Sequence, residues 1–199
     1  MPRAASEVDV ADWRMLKVDY VLVGRLSPMP DGRYELRYEL VSIANGQRLL
    51  GTAMPADRNA LKLASHRISD AIYEKILGVR GAFATRIAYV AADGPTTRRS
   101  YRLIVTDADG ANERVVFASP EPIMSPAWSP DGRSIAYVSF HSRLAAIYVQ
   151  TLRTGEQVRV SAKSGINGAP SFSPDGKQLA LTLSRRDGNV DVYVLTLAT

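Results

Sequence analysis

Three sets of side chains in this 199-residue sequence have types that could do chemistry, and spacing tests each of them. Asp107-Ala108-Asp109-Gly110 sets two carboxylates two positions apart ahead of a glycine, in the manner of a calcium loop. A calcium loop needs a third oxygen ligand and its glycine further on, and Ala111 and Asn112 stand in those places. A β-turn accounts for the four residues. The two histidines, His66 and His141, fall in different regions, the first expected on a helix surface and the second on a loop, and the chain has no cysteine to join either at a zinc site. The sequence also lacks a Gly-x-Ser-x-Gly elbow, a Walker loop and a Gly-x-Gly-x-x-Gly turn. No pair of carboxylates is singled out for general acid and base work. The expectation is therefore a protein without catalysis, metal or cofactor, whose chemistry is recognition.

Recognition needs a scaffold, and a repeat supplies one. Residues 127–139 read Ala-Trp-Ser-Pro-Asp-Gly-Arg-Ser-Ile-Ala-Tyr-Val-Ser, and forty-four positions on, residues 171–183 read Ser-Phe-Ser-Pro-Asp-Gly-Lys-Gln-Leu-Ala-Leu-Thr-Leu. An aromatic, a Ser-Pro-Asp-Gly turn and an apolar strand at a period in the forties indicate one β-propeller blade per repeat. In each turn the proline presets φ, the aspartate bonds its own backbone and the glycine takes the left-handed position. Turn chemistry alone explains Asp131 and Asp175, and Trp128 and Phe172 are expected in the core between blades.

The complete copy spans 125–161: inner strand 127–129, second strand 134–139, third 145–152, outer edge 157–160. The next copy runs from Pro170 and ends at Thr199 before any outer strand. Arg86-Ile87-Ala88-Tyr89-Val90 matches Ser134-Ile135-Ala136-Tyr137-Val138, but no aromatic plus Pro-Asp-Gly precedes it, so the first blade is expected to lack its inner strand. That makes roughly two and a half blades, where propellers close with about four to eight. Apolar runs such as 135–138 and 179–183 imply strands covered on both faces. An open fan of this kind is expected to expose apolar faces and edges, and so to aggregate or behave as a partly ordered monomer.

Residues 1–80 read differently. A short helix with Ser6 as its cap leads to a strand at 20–23. A strand at 34–40 alternates Tyr34, Leu36, Tyr38 and Leu40 against Glu35, Arg37 and Glu39. Asn45-Gly46 turns the chain into a partner strand at 48–54. A helix at 59–77 carries Leu61, Ala64, Ile68, Ala71, Ile72 and Ile76 on one stripe and stops at Gly78. The fold expected is thus a partial α+β N-terminal domain at 1–80 followed by the first blades of an all-β propeller at 81–199.

Composition excludes several classes. The net charge is +5, from 25 basic and 20 acidic residues. The basic residues are dispersed, with Arg98-Arg99 and Arg185-Arg186 as the densest runs, and this argues against a nucleic-acid partner. No apolar run is long enough to span a bilayer, so no membrane insertion is expected. No signal peptide is visible at Met1-Pro2-Arg3.

With no catalytic motif, the loops leading into the inner strands become the candidate protein-binding site: Ser125 and Pro126 in one, Ile166, Asn167, Gly168, Ala169 and Pro170 in the other. Bends there place backbone and small polar groups near the mouth of a propeller channel. A purely structural role, with the prolines stiffening the approach, is the alternative.

The ordered set of motifs resembles the TolB family. Val18-Asp19-Tyr20-Val21-Leu22-Val23-Gly24 and Gly81-Ala82-Phe83-Ala84-Thr85-Arg86-Ile87-Ala88-Tyr89-Val90 carry it. So do Met124-Ser125-Pro126-Ala127-Trp128-Ser129-Pro130-Asp131-Gly132 and Asn167-Gly168-Ala169-Pro170-Ser171-Phe172-Ser173-Pro174-Asp175-Gly176. The resemblance implies an α/β domain joined to a six-bladed propeller and a non-catalytic periplasmic role in the Tol–Pal envelope system. It further implies that the propeller binds the Pal lipoprotein and that an N-terminal segment, absent from this sequence, contacts TolA. Such a protein supports outer-membrane integrity and cell division. Ile166 stands where the family often carries a histidine. Two other readings share the blade turns. One is the propeller of a prolyl-oligopeptidase-type serine peptidase with its hydrolase domain downstream. The other is a lactonase-like enzyme with a metal in the channel.

Overall fold

The computed structural model describes residues 2–95, 97–184 and 188–197. The Arg185-Arg186 pair lies outside the described residues. The chain forms two compact units, Met1–Thr85 and Arg86–Thr199.

In the first unit a 3-10 turn at Ala5–Glu7 precedes α1 (Val10–Met15). Ser6 lies inside that turn, and Asp9 caps α1 instead, its carboxylate accepting from the N–H of Ala11 at 2.9 Å. Strands β1 (Tyr20–Pro28), β2 (Tyr34–Ser42) and β3 (Arg48–Ala56) form an antiparallel sheet in that order. Strand β1 outruns the apolar stretch at 20–23 because its second half is held by pairing with β2, down to Pro28 opposite Tyr34, and not by burial. Val21, Val23 and Ile43 make a small core against Val8, Val10, Trp13 and Val18, so the segment around α1 roofs this part of the sheet. Helix α2 (Leu61–Leu77) follows, with its apolar stripe buried or half-buried. It ends at Gly78, whose φ of +72° is left-handed and whose N–H donates to the Glu74 carbonyl at 2.8 Å. Asp70 then holds the departing chain, accepting from the N–H groups of Phe83 at 2.7 Å and Ala84 at 3.0 Å. Gly81 passes so close beneath it that a Cβ there would lie 2.8 Å from the Asp70 Cα.

The second unit is an incomplete propeller. Strands β4 (Arg86–Asp93), β5 (Ser100–Asp107) and β6 (Arg114–Ser119) form the first blade, in the order β4-β5-β6 and without an inner strand among the described residues. Strands β7 (Ile123–Trp128), β8 (Ser134–Ser139), β9 (Ala146–Thr151) and β10 (Gln157–Ser161) make a full four-stranded blade. Strands β11 (Asn167–Phe172), β12 (Gln178–Ser184) and β13 (Val190–Thr196) make a third, with no outer strand among the described residues. Ten strands among the described residues, at four per blade, are the two and a half blades that the repeat predicts.

The blades stack through the two faces of β8. Ile135 and Tyr137 join Leu103 and Val105 of the first blade, with Phe117 and Trp128 packed against them. Ala136 and Val138 join Leu179 and Leu181 of the third, with Phe172 alongside. Each Ser-Pro-Asp-Gly segment is the turn from inner to second strand. The Ser129 hydroxyl donates to Asp131 Oδ1 at 2.7 Å, and that oxygen accepts from the Arg133 N–H at 3.0 Å. Ser173, Asp175 and Lys177 repeat the pattern at 2.6 and 3.0 Å. Gly132 and Gly176 take φ of +66° and +73°. Asp107-Ala108-Asp109-Gly110 is the turn from β5 to β6, with the Gly110 N–H donating to the Asp107 carbonyl at 2.9 Å and the Ala111 N–H to Asp109 Oδ1 at 3.0 Å.

Two expectations follow. These hydrogen bonds hold the Asp131 and Asp175 carboxyls below the ordinary aspartate value of 3.8, for Asp131 chiefly the Arg133 N–H and for Asp175 chiefly the Ser173 hydroxyl. Because the folded values are depressed, the turns' contribution to stability is complete above the ordinary value and lost as pH falls from there through the lowered ones; carboxyl-carbon NMR titration of the two residues should show both midpoints below those of a short unfolded peptide. On β13, Val192 and Val194 are 75% and 65% exposed on a sheet edge. The Val192→Lys/Val194→Lys double variant should shift the chain from associated species to monomer in light scattering, and an unchanged mass distribution would contradict the role given to this edge.

Candidate functional site

The residues expected to lead into the inner strands lie within them. Strand β7 begins at Ile123, four residues earlier than expected, and β11 begins at Asn167. Ser125, Pro126, Gly168, Ala169 and Pro170 are therefore strand residues, and Ile166 is the last residue before the strand. The earlier start is possible because each strand carries a bulge. Met124 pairs with Val138 and Ala127 with Ala136, so Ser125 and Pro126 together oppose Tyr137. Gly168 pairs with Thr182 and Ser171 with Ala180, so Ala169 and Pro170 together oppose Leu181. A bulge leaves one residue without a ladder position, and a proline, which has no N–H to donate, fits there without breaking the sheet.

The first bulge residue is left-handed in both blades. Ser125 has φ of +51° and Ala169, forty-four positions later, +45°. Neither is glycine, and the left-handed region costs a residue with a Cβ about 1–2 kcal/mol. The backbone cost recurs at equivalent positions of two blades, on strands whose cores are otherwise regular. Both residues are exposed, while Pro170 is buried beneath Ala169.

Asn167 has a different place from the one its residue type suggests. It is only 2% exposed and is spent internally. Its Oδ1 accepts from the Ser161 hydroxyl at 2.7 Å and from the Lys163 N–H at 3.0 Å, and its Nδ2 donates to the Lys163 carbonyl at 2.7 Å. It ties the loop at 162–166 into a fixed shape and is a positioning residue. Ile166, which that loop presents, is 51% exposed.

A neighbouring loop, at 140–145, joins the same end of the blade. The Phe140 N–H donates to the Pro122 carbonyl at 3.1 Å, which links this loop to the approach of β7. His141 is wedged against the rings of Tyr148 at 4.6 Å and Phe117 at 5.4 Å, and its Nδ1 lies 3.0 Å from the Ser139 hydroxyl. The Ser139–His141 pair is not a nucleophile and base available to a substrate, since Ser139 is fully buried. Leu144 at the loop tip is 67% exposed, and Met124 beside the bulge 47%. These two were not singled out by sequence reasoning. The repeat signals the turns, while the opposite ends of the strands vary between copies and carry no motif.

Under the bulge, Tyr137 extends the polar framework inward. Its hydroxyl donates to Gln150 Oε1 at 3.0 Å, accepts from Gln157 Nε2, and Gln150 Nε2 donates to the Val116 carbonyl of the first blade at 3.1 Å. Burial raises the phenol's pKa well above its usual value and keeps it neutral. The arrangement is built to hold a surface, with exposed Met124, Leu144 and Ile166 around two kinked strands and polar groups satisfied below.

Replacing Asn167 by Ala should leave the Ser161 hydroxyl and the Lys163 N–H without a partner and lower stability by about 1–3 kcal/mol. Ala169→Gly should raise it by about 0.5–1 kcal/mol, the left-handed cost less glycine's extra entropy. Urea denaturation of the two variants checks both signs.

Residues 73–199 match the model of the TolB beta propeller domain family, and residues 1–49 that of the TolB amino-terminal domain family. The Tol-Pal system protein TolB of Xanthomonas oryzae pv. oryzae (strain PXO99A) is 51% identical over 168 residues, which are 84% of this chain and 38% of that protein. The protein of the same name from Xanthomonas campestris pv. campestris (strain B100) is 50% identical over 168 residues. The crystal structure of TolB from Acinetobacter baumannii matches with a TM-score of 0.90 at 38% identity, covering 98% of this chain and 49% of that one. The chain spans about two fifths of the length of the curated relatives it matches. With both domain models matched in order, the Ser-Pro-Asp-Gly blades and the sheet-and-helix unit before them are those of one family, and the chain belongs to the TolB family.

Proposed function

We propose that this chain is part of a non-catalytic, periplasmic protein-binding scaffold of the Tol–Pal envelope system. Its blades contribute to the surface that takes the Pal lipoprotein, and in that system it supports outer-membrane integrity and division. The observation that carries the reading is the left-handed bulge repeated at Ser125 and Ala169, with exposed Met124, Leu144 and Ile166 around it. Small exposed residues at the two bulges let a partner's backbone come close, and the three apolar side chains supply area for desolvated contacts. Family membership supports the assignment of system and compartment.

Two kinds of residue divide the work in this reading. Asn167 and Pro170 are buried and shape the surface. Ser125, Pro126, Ile166, Gly168 and Ala169, with Met124 and Leu144 added, are the ones a partner touches. Titration calorimetry of the soluble domain of Pal against the 199-residue chain tests it. Met124→Asp and Ile166→Asp should each weaken binding by tenfold or more, which is about 1.4 kcal/mol. Ser125→Ala should weaken it less, because the hydroxyl is small and exposed. Unchanged affinity in both aspartate variants would remove the site from this face.

A further inference from the structure

At the other end of the blades, where the Ser-Pro-Asp-Gly turns lie, the fold gathers charge that looks dispersed along the sequence. A cleft of about 830 Å³ is lined by Arg86, Arg114, Arg133 and Arg153, with Asp131 as its one carboxylate. We propose that this cleft binds an acidic peptide segment of a partner, a short extended stretch carrying two or more Asp or Glu carboxylates.

Two of the arginines are fixed in place. Arg86 donates to the Gly132 carbonyl and lies over the Trp128 ring at 4.7 Å. Arg114 donates to the Leu152 carbonyl at 3.1 Å. Each guanidinium has five N–H donors, so these bonds orient the group and leave donors for a ligand. The other two are free to close on it. Arg133 is exposed, and its ion pair with Asp131 is loose at 3.9 Å. Arg153 is exposed and has no ion pair among the described residues. Four guanidinium groups against one carboxylate leave a local excess of three positive charges.

The scaffold does not require this charge, because the next junction lacks it. By strand register, Arg86 opposite Asp107 corresponds to Ser134 opposite Thr151, and Arg114 opposite Val105 corresponds to Val158 opposite Val149. Arg133 corresponds to Lys177. At these three positions the second junction, which has a buried apolar core of its own, carries one cation where the first has three. Size favours a peptide over a free phosphate. The volume is that of a site for an extended ligand and far exceeds what one ion fills. A planar guanidinium matches carboxylate and phosphate alike in paired hydrogen bonds, so the choice of a peptide rests on the size of the cleft. A nucleic acid would need a stripe of charge, not one recess. The proposal is independent of the Pal reading, since the cleft lies at the opposite end of β7 from the bulge.

Fluorescence anisotropy of fluorescein-labelled hexa-aspartate with the 199-residue chain tests it. Saturable binding that weakens with added salt is expected, and Arg133→Gln/Arg153→Gln should weaken it at least tenfold without changing the thermal midpoint. Arg25→Gln/Arg37→Gln, which removes the same charge from the first unit, should leave it unchanged. Lack of saturation, or equal loss in the two double variants, would overturn the site. Displacement of the probe by tripolyphosphate at lower concentration than by unlabelled hexa-aspartate would overturn the choice of a carboxylate ligand.

Discussion

Strand β8 is buried on both faces, and the rest of the propeller unit follows from that constraint. Ile135, Ala136 and Tyr137 have no exposed surface, and Val138 almost none. Alternate side chains point to opposite sides of a sheet, so this burial demands a neighbouring blade on each side. Each side chain so covered is worth about 1.5–3 kcal/mol relative to an exposed one. A blade therefore reaches its full burial only as a middle member of a stack. The second blade, flanked on both sides, has its four strands closely packed, whereas the outward face of the third still presents Val192 and Val194.

Stacking on both faces leaves a blade only its two ends for function. The middle of each strand is committed to its neighbours, including a polar chain that crosses the core, from Tyr137 through Gln150 to the Val116 carbonyl. That chain sits where the ladder is already disturbed, because Tyr137 is the single residue opposite the Ser125-Pro126 bulge. The bulge turns an inner strand that would otherwise lie flat and brings Ser125 to the surface. In the third blade Leu181 takes the place of Tyr137 and the bulge persists, so the kink depends on the left-handed residue and the proline and not on the tyrosine's hydrogen bonds.

The parts of the fold that were legible in the sequence are those fixed by local chemistry. Pro-Asp-Gly turns need particular residues at particular positions, and continuous apolar runs identify strands covered twice. Even the missing inner strand of the first blade could be read, because its turn had no residues to make it. What escaped was set by context. Pro126 and Pro170 read as residues of the loops leading into a strand, and only the register shows that each occupies a bulge where its missing N–H costs nothing. Ser6 has the right type for a cap, but the chain makes its first tight turn around it and leaves capping to Asp9. Asn167 looked like a surface contact because asparagine usually is one. Its burial depends on a loop closing over it, and no motif records that closure. The arginine cleft was invisible for the same reason, since its members come from four separate places between residues 86 and 153.

Repetition itself separates the two ends of the blade. A feature present in each copy at the same offset either builds the fold or forms a surface that one partner meets several times. The Ser-Pro-Asp-Gly turns belong to the first kind, because their hydrogen bonds are internal and complete. The left-handed bulges differ from them in carrying a backbone cost and leaving Ser125 and Ala169 exposed. A feature present once cannot be explained by the repeat at all. Arg86 and Arg114 have neutral counterparts one blade on, and those blades still pack through a buried apolar core. The cations at the first junction therefore answer to something other than the stacking of blades.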